Sequence, residues 1–319
     1  MRHVFILNPV AGKKQLALQL RRNIEAYFSA HPEMEYRIYL TDKAGAATAI
    51  AQKECEEGGA VRLYACGGDG TIQETAAGIP VASELVQLAV VPCGSGNDFV
   101  RIFGGCDAFV DLAALIEGDA YSVDAVDCGD RISLNIASIG MDAAVGQKMQ
   151  KYKNWPGVGG SMAYNIAVVD VFCHPIGEKM EIEIVDENGV LHQRSGRYLL
   201  ALAANGQYYG GGYQGAPNAI ENDGCLDFVL VKKISRFKIP FFLGRFKAGR
   251  HEGVSYIEGL RGVEMRVRAA KEMVCNVDGE CFGAEEIVFK VIPGAYQLAL
   301  PHAIAQKKGL LSKEAPVNA

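Results

Sequence analysis

The first 120 residues alternate short apolar runs with stretches of helical periodicity, and this rhythm constrains the fold more than any other feature. Four apolar runs predict strands, at His3–Leu7, Tyr36–Leu40, Val61–Ala65 and Val86–Val91. Leu16, Leu20 and Ile24 recur at helical spacing after the first run, and residues 46–56 predict a second helix. Alternating strands and helices are typical of a parallel sheet covered by helices.

After about Tyr121 the pattern changes to strands joined by mostly local turns. Six more strands are predicted, at Glu181–Val185, Val190–Arg194, Tyr198–Ala203, Leu226–Val231, Val263–Arg268 and Glu286–Val291. Asn188-Gly189 between the first two is a strong hairpin signal. Helical inserts are predicted near residues 141–151 and 161–172. This half therefore predicts a mainly antiparallel β-sandwich.

The change of pattern predicts two domains. We expect an α/β domain over residues 1–122 and the β-sandwich domain over residues 123–300. The polar tail, residues 301–319, either stays free or packs back on the first domain.

Composition excludes several classes of protein. A hydrophobic share of 49% with 22% charged residues excludes intrinsic disorder. Uninterrupted apolar stretches fall short of the roughly 20 residues of a membrane-spanning helix, and the start of the chain lacks the features of a secretory signal. The nine cysteines are scattered singly, without zinc-like spacing. We expect a soluble, cytoplasmic protein with reduced thiols.

A glycine-bearing turn follows three of the predicted strands in the first domain. These turns are Asn8-Pro9-Val10-Ala11-Gly12-Lys13, Gly67-Gly68-Asp69-Gly70-Thr71 and Gly94-Ser95-Gly96-Asn97-Asp98. Open α/β sheets bind ligands at the carboxyl ends of their strands. Glycine lets backbone N–H groups approach phosphate oxygens, and a helix that starts there presents its positive end to them. The pattern indicates a site for a nucleotide triphosphate.

Each turn alone is weak evidence. A tight connection explains residues 94–96 about as well as a ligand site does. Asp69 is more informative, because an acid flanked by glycines directly after a buried strand has no packing reason to be there. The P-loop motif and the Gly-x-Gly-x-x-Gly motif after the first strand are both missing from the sequence.

Several motifs occur together in a recognisable order. They are Asn8-Pro9 with Gly12, residues 67–71, residues 94–99, Asp223-Gly224-Cys225-Leu226-Asp227 and Asp278-Gly279-Glu280. In this order the chain, from residue 3 to about 300, resembles the diacylglycerol kinase catalytic-domain family. It is most like the soluble bacterial lipid kinases, with sphingosine and ceramide kinases as more distant relatives. Through residues 67–71 it is also similar to NAD kinases and phosphofructokinases, which implies that type of parallel-sheet domain.

The resemblance implies an ATP site between the domains. The residues that it implies for ATP are Asn8, Pro9, Gly12, Lys13, Thr41, Gly67, Gly68, Asp69, Gly70, Thr71, Gly94, Ser95, Asn97 and Asp98. Ser95 replaces the family's usual threonine and keeps the hydroxyl, whereas Val10-Ala11 replace a small polar residue before Gly12. Asp98 either shapes the phosphate turn or caps a helix that begins at Phe99.

The sequence leaves two interpretations of Asp278-Gly279-Glu280. The residues alone favour a simple turn, because Asp-Gly is a preferred hairpin centre. The resemblance instead implies that Glu280 is the general base that accepts the proton of the substrate hydroxyl. Asp69 then orients the nucleophile or binds Mg²⁺ near the phosphates.

The loop at residues 216–226 is rich in oxygen ligands of the kind that hard cations prefer. The resemblance implies a structural Mg²⁺ site made by the Asp223 carboxylate and the main-chain oxygen of Cys225. The alternative is a polar turn without an ion.

A locally basic segment stands out in a chain of net charge -5. Residues 228–271 contain eleven Lys and Arg but three acidic residues. Residues 232–247 mix these cations with phenylalanines, which is typical either of a surface that visits anionic membranes or of an ordinary amphipathic helix. The acidic total and the lack of an RNA-recognition signature argue against nucleic acid as a partner.

These observations lead to three hypotheses. The first is an ATP- and Mg²⁺-dependent lipid kinase whose partner is a lipid with a free hydroxyl, such as diacylglycerol, met during transient peripheral membrane contact. The second is a kinase of a soluble hydroxylated substrate such as NAD. The third is a nucleotide- or lipid-binding regulator without turnover. The resemblance also implies a homodimer.

Overall fold

The structure is a computed structural model that describes residues 1–12, 14–94, 96–153, 155–158, 160–174 and 176–308. It divides into two compact units. Unit one contains Met1–Asp124 and the segment that begins at Gly294, and unit two contains Ala125–Pro293.

Strands and helices alternate along the first part of the chain, and long strands dominate the second part. The strands are β1 (Arg2–Leu7), β2 (Tyr36–Leu40), β3 (Val61–Gly67), β4 (Val86–Pro92), β5 (Asp119–Asp127), β6 (Ile132–Ser133), β7 (Ile136–Gly140), β8 (Glu178–Asp186), β9 (Leu191–Ala204), β10 (Leu226–Lys232), β11 (Ile257–Val277) and β12 (Glu280–Leu300). The α-helices are α1 (Lys14–Ala30), α2 (Ala46–Glu56), α3 (Asp69–Ala77), α4 (Leu112–Ile116), α5 (Met141–Lys153), α6 (Gly160–Cys173), α7 (Ile239–Lys247) and α8 (His302–Lys307). Short 3₁₀ helices occur at Phe99–Phe103, Cys106–Phe109 and Arg236–Lys238. Among the helices of the described residues, none is long and apolar enough to cross a bilayer.

Unit one is built on a parallel sheet with the order β4-β3-β1-β2. All seven residues of β3 are buried, as expected for a strand with helices on both faces of its sheet. Phe5 of β1 stacks on Tyr64 of β3, with ring centroids 4.1 Å apart. The predicted parallel α/β architecture is confirmed.

The end of β12 returns to the unit-one sheet. Its residues Gln297–Ala299 pair in parallel with Gln87–Ala89 of β4. Gly294, at a φ of +59°, donates its N–H to the Asp124 carboxylate at 2.8 Å. The sequence placed residues 294–300 with the second domain, whereas in the structure their contacts, including the pairing with β4, group them with unit one.

The beginning of the polar tail packs within unit one. Ile304 and Ala305 of α8 are buried, and the Lys308 ammonium lies 5.1 Å from the centroid of the Phe103 ring. The tail therefore packs back on unit one as far as Lys308, while residues 309–319 lie outside the described residues.

Unit two is mainly antiparallel. Its strands follow the order β10-β9-β7-β11-β12, and β8 pairs with both β9 and β11. Alternating residues of β9 reach two cores: Ala201 and Ala203 join one, and Leu200 and Leu202 join the other. The second core also contains residues of α5, α6 and α7, including Phe242. The predicted second architecture is likewise confirmed.

Strand lengths in unit two differ from the sequence prediction. The predicted strands at 190–194 and 198–203 are parts of one continuous strand, β9. The predicted strands at 263–268 and 286–291 are the middle parts of β11 and β12, which are each 21 residues long. A register shift between Arg268 and Met273 bends β11, and its polar residues interrupt the alternation that the prediction relied on.

The hairpin predicted at Asn188-Gly189 is present between β8 and β9. Gly189 has a φ of +78°, which glycine adopts readily. The Asp186 carboxylate accepts the N–H groups of Asn188 and Val190, both at 2.9 Å. The hairpin loop is thus closed by an aspartate side chain as well as by its glycine.

Candidate functional site

The loops after β3 and β4 approach each other closely at the carboxyl edge of the unit-one sheet. A Cβ added to Gly94 would lie 2.6 Å from the Gly68 Cα. The N–H groups of Cys93 and Gly94 both donate to the Gly67 carbonyl, at 2.8 and 3.2 Å. A side chain on Gly94 would push the two backbones apart, so glycine is required for this approach.

The loop after β1 joins the same cluster. Gly12 has a φ of +64°, and a Cβ there would clash with the Cys93 carbonyl oxygen. The Asn8 side-chain amide donates to the Thr71 hydroxyl at 3.1 Å, which ties this loop to the start of α3. Pro9 lies in the turn that the Ala11 N–H closes on the Asn8 carbonyl at 3.2 Å.

The N-terminus of α3 is open to an anion. Its N-cap residue, Gly68, supplies no side-chain cap, so the first-turn N–H groups have no side-chain acceptor at that position. Gly70 is exposed, and nothing lies within 4 Å of a Cβ built on it. The helix has nine residues, and its dipole adds positive potential at this end. A phosphate group suits such a position.

Asp69, the first residue of α3, directs its carboxylate at the next loop. Its Oδ1 accepts the Phe99 N–H at 3.4 Å. Burial raises the pKa of Asp69 and the charge of Asp98 raises it further, while the N–H groups of residues 97–99 oppose the shift. The geometry shows Asp69 ordering the loop after β4, and its predicted role toward a nucleophile or Mg²⁺ stays a prediction.

Asn97 holds this loop in a conformation that few side chains tolerate. It is fully buried at a φ of +50°, and its amide donates to the Gly67 carbonyl at 3.0 Å. Asparagine is one of the few non-glycine residues that enter this region readily. Its role is thus to support the backbone of the glycine loops.

Asp98 differs from one sequence expectation. It stands before the 3₁₀ helix Phe99–Phe103, but its side chain makes no capping hydrogen bond there. Its Oδ1 instead accepts the Arg101 Nε at 2.8 Å. The predicted helix cap is therefore wrong, because the nearby guanidinium provides a charged partner.

Thr41 follows β2, the strand beside β1. Its N–H donates to the Leu7 carbonyl at 2.9 Å, which places it next to the loop after β1. Within unit one the structure thus brings most of the predicted ATP residues to one edge of the sheet. Lys13 and Ser95 lie outside the described residues.

Glu280 begins β12 in unit two, directly after a two-residue hairpin turn. Val277 pairs with Glu280, and the turn residues Asp278 and Gly279 have φ values of +46° and +99°. Positive φ at both positions is the signature of a type I′ turn. The simple-turn interpretation therefore describes the backbone, and it leaves the Glu280 side chain exposed at the hairpin end.

Asp278 connects this hairpin to the segment before β7. Its carboxylate accepts the Ser133 hydroxyl and the Leu134 N–H, both at 2.8 Å, and the Ile136 N–H at 3.3 Å. These bonds fix the hairpin that carries Glu280. The sequence predicted the turn but not these hydrogen bonds between Asp278 and residues 133–136.

Arg131 lies beside Glu280 and was not among the predicted site residues. Its Nε is 3.8 Å from the Glu280 carboxylate, and its guanidinium carbon is 4.3 Å from the centroid of the Phe282 ring. Its hydrogen-bond partner is the Asp130 carboxylate, at 2.7 Å, so its effect on Glu280 is electrostatic. Local sequence gives no signal for it, because almost 150 residues separate the two positions.

Asp142 is a second carboxylate that the sequence analysis missed. Both its oxygens are buried at the start of α5. Burial raises the pKa of Asp142, while the Ser138 hydroxyl, the Ala143 N–H and Tyr209 oppose the shift. The Cys281 thiol, next to Glu280, donates to the Ala143 carbonyl at 3.6 Å. Ala143, the neighbour of Asp142 in the sequence, thus contacts the hairpin that carries Glu280.

The loop predicted to bind a structural cation has a different partner. Asp223 Oδ1 accepts the Cys225 N–H at 3.1 Å, and its Oδ2 forms an ion pair with Arg261. Arg261 Nε is also 3.2 Å from the Glu187 carboxylate. No group of three His, Cys, Asp or Glu suited to a metal occurs among the residues described. This donor set does not fit a resident Mg²⁺ as it stands, because a guanidinium already neutralises Asp223.

Unit one, with its glycine-lined loops and uncapped helix, and the antiparallel unit two define a protein of the two-domain kinase class. A model of the diacylglycerol kinase catalytic domain matches residues 2–128, and a model of the YegS C-terminal NAD kinase beta sandwich-like domain matches residues 135–300. The chain belongs to the diacylglycerol kinase catalytic-domain family, and the resemblance predicted from its motifs is confirmed.

Named relatives support a lipid kinase. The chain is 25% identical over 295 residues to a "Probable lipid kinase YegS-like" of Shewanella frigidimarina, covering 91% of this chain and 92% of that one. It is 26% identical over 280 residues to a "Diacylglycerol kinase" of Staphylococcus aureus, covering 87% and 85%. A solved structure of a diacylglycerol kinase from Bacillus anthracis str. Sterne is 20% identical, covers 95% of this chain and 98% of its own, and has a TM-score of 0.67. That structure supports the fold.

Proposed function

We propose that the protein transfers the γ-phosphoryl group of ATP, supplied with Mg²⁺, to a hydroxyl of diacylglycerol or a related lipid. The hydroxyl oxygen bonds to the γ-phosphorus, and the bond from that phosphorus to the β–γ bridging oxygen breaks. ADP leaves, and the hydroxyl proton passes to a carboxylate. Membership of a lipid-kinase family supports the class of reaction.

The observation that carries the proposal is the loop cluster of unit one. Gly68 and Gly94 allow two backbones to meet, and α3 begins there without a side-chain cap. Such a position offers N–H groups and helix-dipole potential to phosphate oxygens, and it leaves space above Gly70. A triphosphate is the ligand whose charge fits it best.

We assign the role of general base to Glu280. Its side chain is exposed at the end of a type I′ hairpin, where a substrate hydroxyl can reach it. Asp278 anchors that hairpin, and the Arg131 guanidinium, 3.8 Å away, adds positive potential beside the carboxylate. Bound Mg²⁺ would neutralise charge on the phosphate oxygens of ATP. A positioned base of this kind contributes roughly 10²–10⁴-fold to the rate.

Glu280→Gln tests this assignment. We expect kcat with Mg-ATP and diacylglycerol in mixed micelles to fall about 100-fold or more, while the dissociation constant for ATP changes by less than about twofold. Phosphorylated lipid is measured with radiolabelled ATP, and ATP binding by calorimetry. Glu285→Gln, an exposed glutamate in the same strand, is the matched control and should keep full activity.

A panel of acceptors separates this proposal from its rivals. When diacylglycerols, sphingoid bases and ceramide are each offered with radiolabelled ATP, at least one of them should yield a labelled phospholipid product. Labelled NAD phosphate with no labelled lipid would instead support a kinase of a soluble substrate. ATP binding without any labelled product would support a regulator without turnover, and a fully active Glu280→Gln variant would refute the assigned base.

A further inference from the structure

One face of the segment Arg236–Lys247 in unit two is built into the core. This segment, the docking helix, consists of the 3₁₀ turn Arg236–Lys238 followed by α7. Ile239, Phe242 and Phe246 recur at helical spacing and are buried. The rings of Phe242 and Phe246 lie 4.9 Å apart within the second core of the unit. The helix is therefore firmly seated on this side.

Its other face exposes two phenylalanines. Phe237 is 87% exposed and Phe241 is 76% exposed. Residues four apart lie on the same side of a helix, so the two rings project together. The ordinary amphipathic-helix interpretation accounts for the buried residues but not for these two, because an amphipathic surface helix presents polar residues to water. Large apolar rings that are exposed together mark a contact surface.

The basic residues of this stretch of the chain have no acidic partners in the part that the structure describes. Residues 228–251 contain seven Lys and Arg and no Asp or Glu. All seven are exposed: Lys232, Lys233, Arg236, Lys238, Arg245, Lys247 and Arg250. Within the described residues none of them forms a salt bridge, whereas Arg194 and Arg268 elsewhere in unit two pair with glutamates. An uncompensated cationic surface fits an anionic partner.

We propose that the docking helix binds the surface of a bilayer that contains anionic phospholipids, with Phe237 and Phe241 inserted among the acyl chains. The cations of the docking helix, Arg236, Lys238, Arg245 and Lys247, then lie at the level of the lipid phosphates. The two exposed phenylalanines favour a membrane over RNA, because the cations alone would serve either partner and apolar rings suit the acyl chains. The purpose of this docking rests on the proposed function, because a lipid kinase must take its acceptor from such a surface.

Vesicle sedimentation tests the docking helix. The full chain is mixed with vesicles of phosphatidylcholine alone or of phosphatidylcholine with phosphatidylglycerol, and the bound fraction is measured. Phe237→Ser/Phe241→Ser and Lys238→Ser/Arg245→Ser change exposed residues and should leave folding intact, as circular dichroism will check. Matched controls are Val190→Ser/Leu191→Ser, which changes exposed apolar residues, and Lys271→Ser/Lys290→Ser, which changes exposed cations.

We expect wild type to bind the anionic vesicles and to be released by high salt. Each docking-helix variant should bind about tenfold or more weakly, while the controls stay within about twofold of wild type. Equal binding by wild type and Phe237→Ser/Phe241→Ser would overturn the proposal. The proposal would also be overturned if the wild type bound a short RNA but not vesicles, and if Lys238→Ser/Arg245→Ser abolished that RNA binding.

Kinase assays distinguish this proposal from the proposed function. With a short-chain diacylglycerol dissolved in water, the docking-helix variants should keep wild-type kcat/KM. With diacylglycerol embedded in anionic vesicles they should lose about tenfold or more. If the vesicles bind as expected but no lipid is phosphorylated, the proposed kinase function is refuted and the docking surface is retained. Phosphorylation of vesicle lipid at equal rates by all variants would do the reverse.

Discussion

At the scale of single residues, two glycines of unit one serve different purposes. Gly94 allows a backbone contact, since a Cβ there would lie 2.6 Å from the Gly68 Cα. Gly70 has open space around it and no positive φ, so a methyl group there disturbs no contact. If phosphate oxygens lie against the start of α3, that methyl group meets the ligand.

Substituting alanine at each position separates folding from binding. Gly94→Ala should lower the free energy of unfolding by about 1–3 kcal/mol, because the loops must move apart. Gly70→Ala should leave that free energy unchanged or raise it by up to about 1 kcal/mol, yet weaken ATP binding about tenfold. Urea unfolding and calorimetric titration measure the two effects. ATP binding at wild-type strength by Gly70→Ala would contradict the phosphate position.

The sequence predicts residues of the site where a local pattern reports on chemistry. Glycines directly after strands predicted the contacting loops of unit one, because the strand order of a parallel sheet brings those ends together. Arg131 and Arg261 escaped notice, since each acts on a carboxylate that is distant along the chain. Asn97 was predicted as an ATP ligand, which stays a prediction, and its burial and φ of +50° add a contact with the backbone that the sequence did not show.

At the scale of elements, Arg261 links the loop before β10 to β11. It pairs with Asp223, contacts Glu187 and lies opposite Asp227 in the strand register. Burial raises the pKa of Asp227 to about 6, and the Arg261 charge opposes that rise. One guanidinium thus serves several carboxylates, as a structural cation would.

This arrangement predicts a weak response to metal removal. Without nucleotide, EDTA should leave the Tm of the wild-type protein unchanged. Arg261→Ala should lower the free energy of unfolding by about 1 kcal/mol, a modest value because the pair is partly exposed, and Mg²⁺ should then restore part of the loss. Differential scanning fluorimetry with and without EDTA measures both effects. A clear fall in wild-type Tm with EDTA would show that a resident metal, and not Arg261, stabilises the loop.

Elements were predictable where one periodicity ran without interruption. Helix α2 and strand β2 follow their predicted bounds because their apolar spacing is regular. Strands β11 and β12 were seen only in part, since a bulge and polar residues such as Lys271 and Glu272 break the alternation in the long hairpin. Arg62 is a charged residue within the buried strand β3, which the apolar pattern does not explain. Its guanidinium donates hydrogen bonds to the carbonyls of Leu115, Ile116 and Gly118.

At the scale of the whole molecule, the path of the chain was the hardest feature to foresee. The last residues of β12 pair with β4 more than 200 positions earlier, and no local pattern reports such a pairing. The grouping of residues from Gly294 with unit one therefore depends on a long-range contact. The first strand and the described residues from Gly294 to Lys308 thus belong to the same unit.

His3, in the first strand of unit one, makes global stability depend on pH. It is 4% exposed, its Nδ1 lies 2.8 Å from the Tyr64 hydroxyl, and burial lowers its pKa to about 4, with the charges of Arg62 and the N-terminus adding to the shift. As the pH falls below the ordinary value of 6.5, the unfolded chain binds a proton that the folded chain excludes. The contribution of the neutral His3 to stability is therefore full above pH 6.5 and is lost between pH 6.5 and 4.

We expect this group to remove about 3 kcal/mol of stability across that window, measured as the urea midpoint by circular dichroism. His3→Phe should be less stable at neutral pH, because Tyr64 loses its partner, yet its stability should fall less steeply on acidification. Tyr64→Phe should keep the wild-type slope, since burial is the main cause of the shift. Parallel slopes for wild type and His3→Phe would mean that the ring takes up its proton equally in both states, and that the core around β1 admits the charge.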